Sequence, residues 1–311
     1  MKVLYLTPNF SNFFAATYDG MITALGPYCE LTLYGPGYNT FTDLGSSLDL
    51  NYVIKSIYGD DAPDVIIMWD IEGSGWAGNF TGLNDVDALK VLWTVDLHND
   101  AVPHRLDYIE NAGFDLVLMT YDKDQTTHSA RFYRELGIPM EFYPFSVDET
   151  RFYPMVLPKI WDASLIGNMS SSYYPFRNAV HRALLGQSLN YHHPLVAIYV
   201  KDEFARHINE SRICITGSSS YKYLVQKYYE VTACGTLLMA DMCMDAEYQG
   251  FIPGETFVEI SADDVVKKVE YYLNNPGEAQ RISQNGRDLI LQRHTHDIRA
   301  RELMEVLQKY A

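Results

Sequence analysis

The chain has 311 residues, 47% of them hydrophobic and 21% charged, enough apolar side chains to fill two cores of about 150 residues each and too many for a disordered chain. Its formal charge of -16 is unevenly spread: residues 1–153 carry 8 Lys and Arg against 22 Asp and Glu, and residues 154–311 carry 16 against 18. So negative a first half repels phosphate backbones, which argues against a nucleic-acid groove there and sends the search for an anionic ligand to the second half.

The apolar start, Lys2–Thr7, is cut off by Pro8 and Asn9, too early for a secretion signal, and reads as a buried first strand of a cytoplasmic protein. No later run approaches the roughly eighteen apolar residues that a bilayer span needs. Further short runs follow at Leu31–Tyr34, Asp64–Trp69, Lys90–Val95, Asp115–Thr120 and Met140–Tyr143. Helical spacing lies between them, as in Tyr52–Ile57 and Pro103–Ala112. Strands alternating with helices predict a parallel sheet covered on both faces, whose ligands sit beyond the carboxyl ends of the strands.

Ser146–Pro154, framed by Pro144 and Pro158, breaks this rhythm and reads as a linker. It divides the chain into a first Rossmann-like domain, 1–153, and a second, 154–311. The second series of strands is Ala163–Ile166, Leu195–Tyr199, Arg212–Thr216, Thr236–Ala240 and Phe257–Ile260. His192-His193, followed by Pro194, reads as a turn. Pro276 to Tyr310 is strongly helical, with a break expected at Asn285-Gly286.

The sharpest segment runs from Lys227 to Asp241. A helix ends at Gly235, which supplies a left-handed turn, and the chain drops into a buried strand. Glu230 is the sole carboxylate of that helical segment, five residues before the glycine. Buried there it needs a partner, and the paired hydroxyls of a sugar suit it.

Lys227-Tyr228-Tyr229-Glu230-Val231-Thr232-Ala233-Cys234-Gly235 resembles the R-x-F-E-a-x-A-x-G pattern of GT-B glycosyltransferases, in particular the family 1-like, CgeB-like group of spore-maturation type. The resemblance extends through Phe251–Glu255, Asp263-Asp264-Val265, Arg281–Gly286 and His294–Ala300. Upstream it takes in Ser164–Asn168 with Arg177. It covers residues 140–305 in sequence and the first domain only in architecture.

The resemblance implies a GT-B fold: two Rossmann-like α/β domains with parallel sheets facing a central cleft, and a C-terminal helix crossing back to the first domain. It implies a transferase moving a sugar from a nucleotide-diphosphate donor to a hydroxyl of a glycan or small molecule. Glu230 would hold the donor ribose. Gly167-Asn168 and Thr216-Gly217-Ser218, bounded by glycine, would face the diphosphate, where backbone N–H groups approach an anion closely. Lys227 would offset diphosphate charge as a point cation in place of the family's arginine, and Gly235 would close the motif. Related retaining enzymes place another glutamate eight positions before the ribose-binding one. Lys222 stands there in this chain, so the stereochemical outcome is left open.

Glycosyl transfer by inversion needs a general base near the acceptor hydroxyl. On an extended segment Asp96 and His98 point to the same side, and a carboxylate beside an imidazole raises its basicity; helix capping by Asp96 is the competing reading. Trp69, Asp70 and Glu72, at the end of the third run, combine aromatic faces and carboxylates suited to a sugar acceptor, or are turn and core anchors. Asn9 and Phe10 form a candidate acceptor loop, or a helix start capped by Ser11.

No metal is expected. His294 and His296 lack a third ligand nearby, and Asp241 and Asp245 are spaced too widely for a DxD pair. The donor is a co-substrate, so no cofactor is expected either. Four cysteines without CxxC spacing read as free thiols. Three other readings stay open: a nucleotide-sugar-binding protein without turnover, a GT-B nucleotide-sugar epimerase, and a phage-type transferase acting on DNA bases.

Overall fold

The computed structural model describes residues 1–12, 17–70, 79–95, 103–169, 172–193 and 202–311. Contacts divide the chain into two compact units. The first comprises Met1–Asn12, Ile22–Pro144 and Ala300–Ala311; the second holds Phe145–Arg299 together with a short stretch ending at Met21.

In chain order the first series runs β1 (Lys2–Leu6), α1 (Thr17–Thr23), β2 (Glu30–Tyr34), α2 (Asn39–Asp43), α3 (Leu50–Tyr58), β3 (Val65–Asp70), β4 (Leu89–Thr94), α4 (Pro103–Ala112), β5 (Leu116–Met119), α5 (His128–Glu135) and β6 (Met140–Phe142). The six strands form one parallel sheet in the order β2-β1-β3-β4-β5-β6. Each coincides with an apolar run expected from the sequence. Val3, Leu4, Tyr5 and Leu6 are all fully buried, as a parallel strand covered on both faces requires. Helix ends follow local chemistry: Asp49 accepts the Asn51 N–H at 3.1 Å to start α3, and Gly59 at φ 68° ends it.

The second series runs β7 (Trp161–Leu165), α6 (Pro175–Leu184), β8 (Tyr191–His192), α7 (Asp202–Asn209), β9 (Ser211–Ile215), α8 (Lys227–Ala233), β10 (Leu237–Ala240), β11 (Val258–Glu259), α9 (Val265–Asn274), α10 (Pro276–Arg293) and α11 (His296–Tyr310). Its five strands are again parallel, ordered β11-β10-β9-β7-β8. Ala163, Leu165, Ile213, Ile215, Leu237 and Met239 fill the sheet's core against α6, α9 and α10. Ser146–Pro154 is bound into this unit: Val147 bridges to Thr295, and Phe152 is 1% exposed.

Two local expectations are corrected. His192 is not in a turn; it ends β8, paired with Ser164, while the strand expected at 195–199 lies outside the described residues. Gly286 does not break a helix, because α10 runs through it. A Cβ there would lie 2.5 Å from the Thr256 carbonyl oxygen and 2.7 Å from Thr232 Cγ2, so the glycine serves close packing instead. The expected crossing of the closing helix is seen: α11 begins in the second unit, and Ala300–Ala311 belongs to the first. There Lys309 and Tyr310 bond Glu141 at 2.6 and 2.9 Å.

Candidate functional site

In the second sheet the chain leaves β7 toward β8 on one side, and leaves the adjacent β9 toward β10 on the other. The loops beyond the carboxyl ends of these two strands therefore diverge and open a crevice at a topological switch point. Ile166-Gly167-Asn168 and Thr216-Gly217-Ser218 are those loops, so the structure brings both candidate donor loops together.

Arg177, in the first turn of α6, braces them. Its Nε and Nη2 donate to the Gly217 carbonyl at 2.9 and 2.6 Å, and its Nη1 donates to the Asn168 carbonyl at 3.0 Å. The guanidinium carbon lies 3.9 Å from the centre of the Tyr174 ring. Gly167 takes φ +115°, and a Cβ on it would meet Arg177 Nη1 at 2.5 Å and Lys227 Cδ at 3.3 Å. Only glycine fits, in conformation and in space.

The candidate hydroxyl residues are occupied differently from the sequence reading. Thr216 is fully buried, with its N–H on the Met239 carbonyl and its Oγ1 donating to the Ile166 carbonyl at 3.2 Å. Ser218 is also fully buried, and both its N–H and its hydroxyl donate to the Asp241 carboxylate, at 2.8 and 2.6 Å. These donors are satisfied within the protein, and a diphosphate has none of them to take.

Lys227 differs. It opens α8, and its stem passes Gly167. Among the described residues its ammonium forms no hydrogen bond or ion pair; it lies 5.8 Å from the centre of the Phe204 ring. Burial lowers the affinity of this amine for its proton, the neighbouring Glu230 raises it, and Arg177 lowers it. Glu230, three residues on and thus on the same helical face, is 3% exposed and does not turn to solvent. Gly235 follows α8 at φ +66°, a left-handed turn that carries the chain into β10.

In the first sheet the switch point falls between β1 and β3. Asn9, Phe10, Trp69 and Asp70 stand at the carboxyl ends of those strands. Asn9 caps its own turn, accepting the Ser11 N–H at 2.9 Å and donating to the Gly37 carbonyl; the cap is Asn9, not Ser11. Phe10 is 7% exposed and packs 5.5 Å from Trp69, itself 1% exposed and edge-on to Trp93 at 4.2 Å. Trp69 is a core ring with no open face for stacking. The backbone of Asp70 closes β3 opposite Thr94. Glu72, Asp96 and His98 lie outside the described residues.

Both histidines weighed as metal ligands are engaged in the fold. His294 bonds the Gln249 carbonyl through Nε2 at 2.7 Å, with Arg299 3.3 Å from its Nδ1; His296 Nδ1 lies 2.8 Å from Ser146 Oγ. Among the described residues no group of three or more His, Cys, Asp or Glu is placed to hold a metal ion, and no helix is long and apolar enough to cross a membrane.

Residues 173–305 match the family model described as "Glycosyl transferase-like". No curated protein matches the sequence. Among solved structures, a sucrose-phosphate synthase from Thermosynechococcus elongatus shares 13% identity over 99% of this chain and 98% of its own, with a TM-score of 0.71. Anabaena Alr3699/HepE, solved in complex with UDP and glucose, shares 11% over 99% and 100%, with a TM-score of 0.69. A glycosyltransferase from Rickettsia africae shares 11% over 99% and 98%, with a TM-score of 0.67. At these identities the likeness is one of fold. The chain thus has the GT-B fold, two parallel-sheet α/β domains, and its residues 173–305 match a glycosyl transferase-like family model.

Proposed function

We propose that this chain is a glycosyltransferase that binds a nucleoside diphosphate sugar at the switch point between β7 and β9 and passes the sugar to a hydroxyl of a glycan or small molecule. The observation that carries the reading is the ammonium of Lys227, unpaired among the described residues, on a stem that runs past the Gly167 turn. A half-buried cation without a bonded anion suits a diphosphate that completes the site. Arg177, its guanidinium committed to two loop carbonyls, shapes the cradle instead of gripping the ligand. Glu230, on the face that carries Lys227, takes the ribose hydroxyls.

The departing diphosphate gathers negative charge as the glycosidic bond breaks, and Lys227 stabilises it there. Asp96 and His98 remain the proposed acceptor base, and the reaction needs no metal or other cofactor. A uridine diphosphate sugar is the donor to try first, since HepE was solved with UDP and with UDP-glucose. The sequence motifs favour the CgeB-like group and a cytoplasmic protein.

Calorimetric titration with UDP, GDP, ADP and TDP tests the donor site. At least one should bind, and Lys227→Met should weaken it about tenfold, equivalent to about 1.4 kcal/mol. Absence of binding by all four, or indifference to Lys227→Met, would overturn the reading. His98→Ala should abolish transfer with donor binding intact.

A further inference from the structure

Asp241 is a carboxylate at 5% exposure, directly after the four apolar residues of β10, and the proposed chemistry does not use it. Its Oδ1 accepts the Ser218 N–H at 2.8 Å; the Tyr228 hydroxyl donates to the Asp241 main-chain carbonyl at 2.6 Å, with Oδ1 3.2 Å away. Its Oδ2 accepts the Ser218 hydroxyl at 2.6 Å and the Lys222 ammonium at 2.7 Å. One residue, through its carboxylate and its main-chain carbonyl, thus ties together three pieces of chain: the turn after β9, the approach to α8, and α8 itself through the residue next to Lys227.

Two further features show that this arrangement is tightly determined. Lys222 stands at φ +61°, costly for a residue with a side chain. Its N–H bonds the Ser219 carbonyl at 3.0 Å, its carbonyl accepts the Met244 N–H at 2.7 Å, and its ammonium is held by Asp241. On the other flank a Cβ on Gly217 would sit 3.1 Å from Asp241 Oδ1 and collide with the Phe176 ring. The carboxylate and the ring therefore fix where the Gly217 carbonyl lies, and that carbonyl is what Arg177 grips.

We propose that Asp241 is a positioning residue of the donor site: it sets the Gly217–Lys222 turn and α8 in the arrangement that leaves the Lys227 ammonium open to an anion. This rests on the donor reading above. Calorimetry resolves a loss of affinity of about tenfold readily, so the effect is large enough to measure.

The test compares Asp241→Ala and Asp241→Asn with the wild type, in UDP titration below each variant's melting temperature and in amide hydrogen exchange without ligand. Asp241→Ala should bind UDP at least about tenfold more weakly and lose protection at the Ser218 amide. Asp241→Asn, which keeps an acceptor oxygen for the Ser218 N–H, should recover most of both, a rescue that general destabilisation does not give. Wild-type affinity in folded Asp241→Ala, or an unchanged Ser218 amide, would overturn the proposal. If Asp241→Ala does not fold, Tyr228→Phe removes one tie alone and should weaken UDP with the fold intact; no weakening would again overturn it. A wild-type protein that binds no nucleotide would sink the donor reading, while the exchange measurement still reports on Asp241.

Discussion

Arg177 and Gly217, forty residues apart, are joined by two hydrogen bonds from one guanidinium to one carbonyl oxygen, at 2.6 and 2.9 Å. This contact makes two loops one cradle, and it accounts for a buried arginine that faces peptide carbonyls.

Replacing Arg177 strands the buried carbonyl of Gly217 and takes a donor from that of Asn168. Arg177→Ala should destabilise the protein by about 2–4 kcal/mol, read by urea unfolding. Arg177→Lys should recover little, since an ammonium cannot span both carbonyls as the planar fork does. Full stability in either variant would show that the brace is dispensable.

Lys227 and Glu230 should separate by ligand. Inorganic pyrophosphate lacks a ribose, so Glu230→Gln should weaken UDP by about tenfold, near 1.4 kcal/mol, and leave pyrophosphate unaffected. Lys227→Met should weaken both, and wild-type affinity should fall with added salt. Equal losses for both ligands in Glu230→Gln would remove the ribose from its role.

Two glycines of α10 make a paired test of packing. Gly286→Ala drives a methyl into Thr256 and Thr232 and should cost about 1–3 kcal/mol. Gly277 has nothing within 4 Å of an added Cβ, so Gly277→Ala should be neutral or stabilise by up to about 1 kcal/mol. Thermal melts that rank the two the other way would refute the packing account.

Acid should loosen the second unit. Burial holds His294 at about 3, with Arg299 adding to it, and holds His296 and His207 at about 4, against an ordinary value of 6.5. The unfolded chain therefore takes up these protons first as pH falls. The stability of the neutral imidazoles is complete above pH 6.5 and drains away down to about pH 4, by about 2 kcal/mol per histidine at pH 5. The melting temperature should drop between pH 7 and 5, and His294→Gln should flatten that slope. A melting temperature constant over the range would contradict this.

Most of the architecture could be read from the chain because parallel strands advertise themselves. Val3–Leu6 and Leu116–Met119 are continuous apolar runs, and Pro103–Ala112 matched its helix end to end. What escaped depended on distant neighbours. Gly286 looked like a breaker because the sequence cannot show Thr256 lying against it. Ser218 looked like an anion donor because nothing local reveals that Asp241, twenty-three residues later, takes both its protons. A charged residue directly after an apolar strand, as at Asp241, was the available signal.

The passage of α11 from one unit into the other sets an order on assembly. Ala300, Leu303 and Leu307 are buried, and they belong to the first unit. During synthesis the amino-terminal sheet emerges long before this segment, so it waits with part of its apolar surface uncovered until the intervening unit has been made. The earlier-made body is finished last, and shortening the chain from its carboxyl side should expose apolar surface on the half farthest away in sequence.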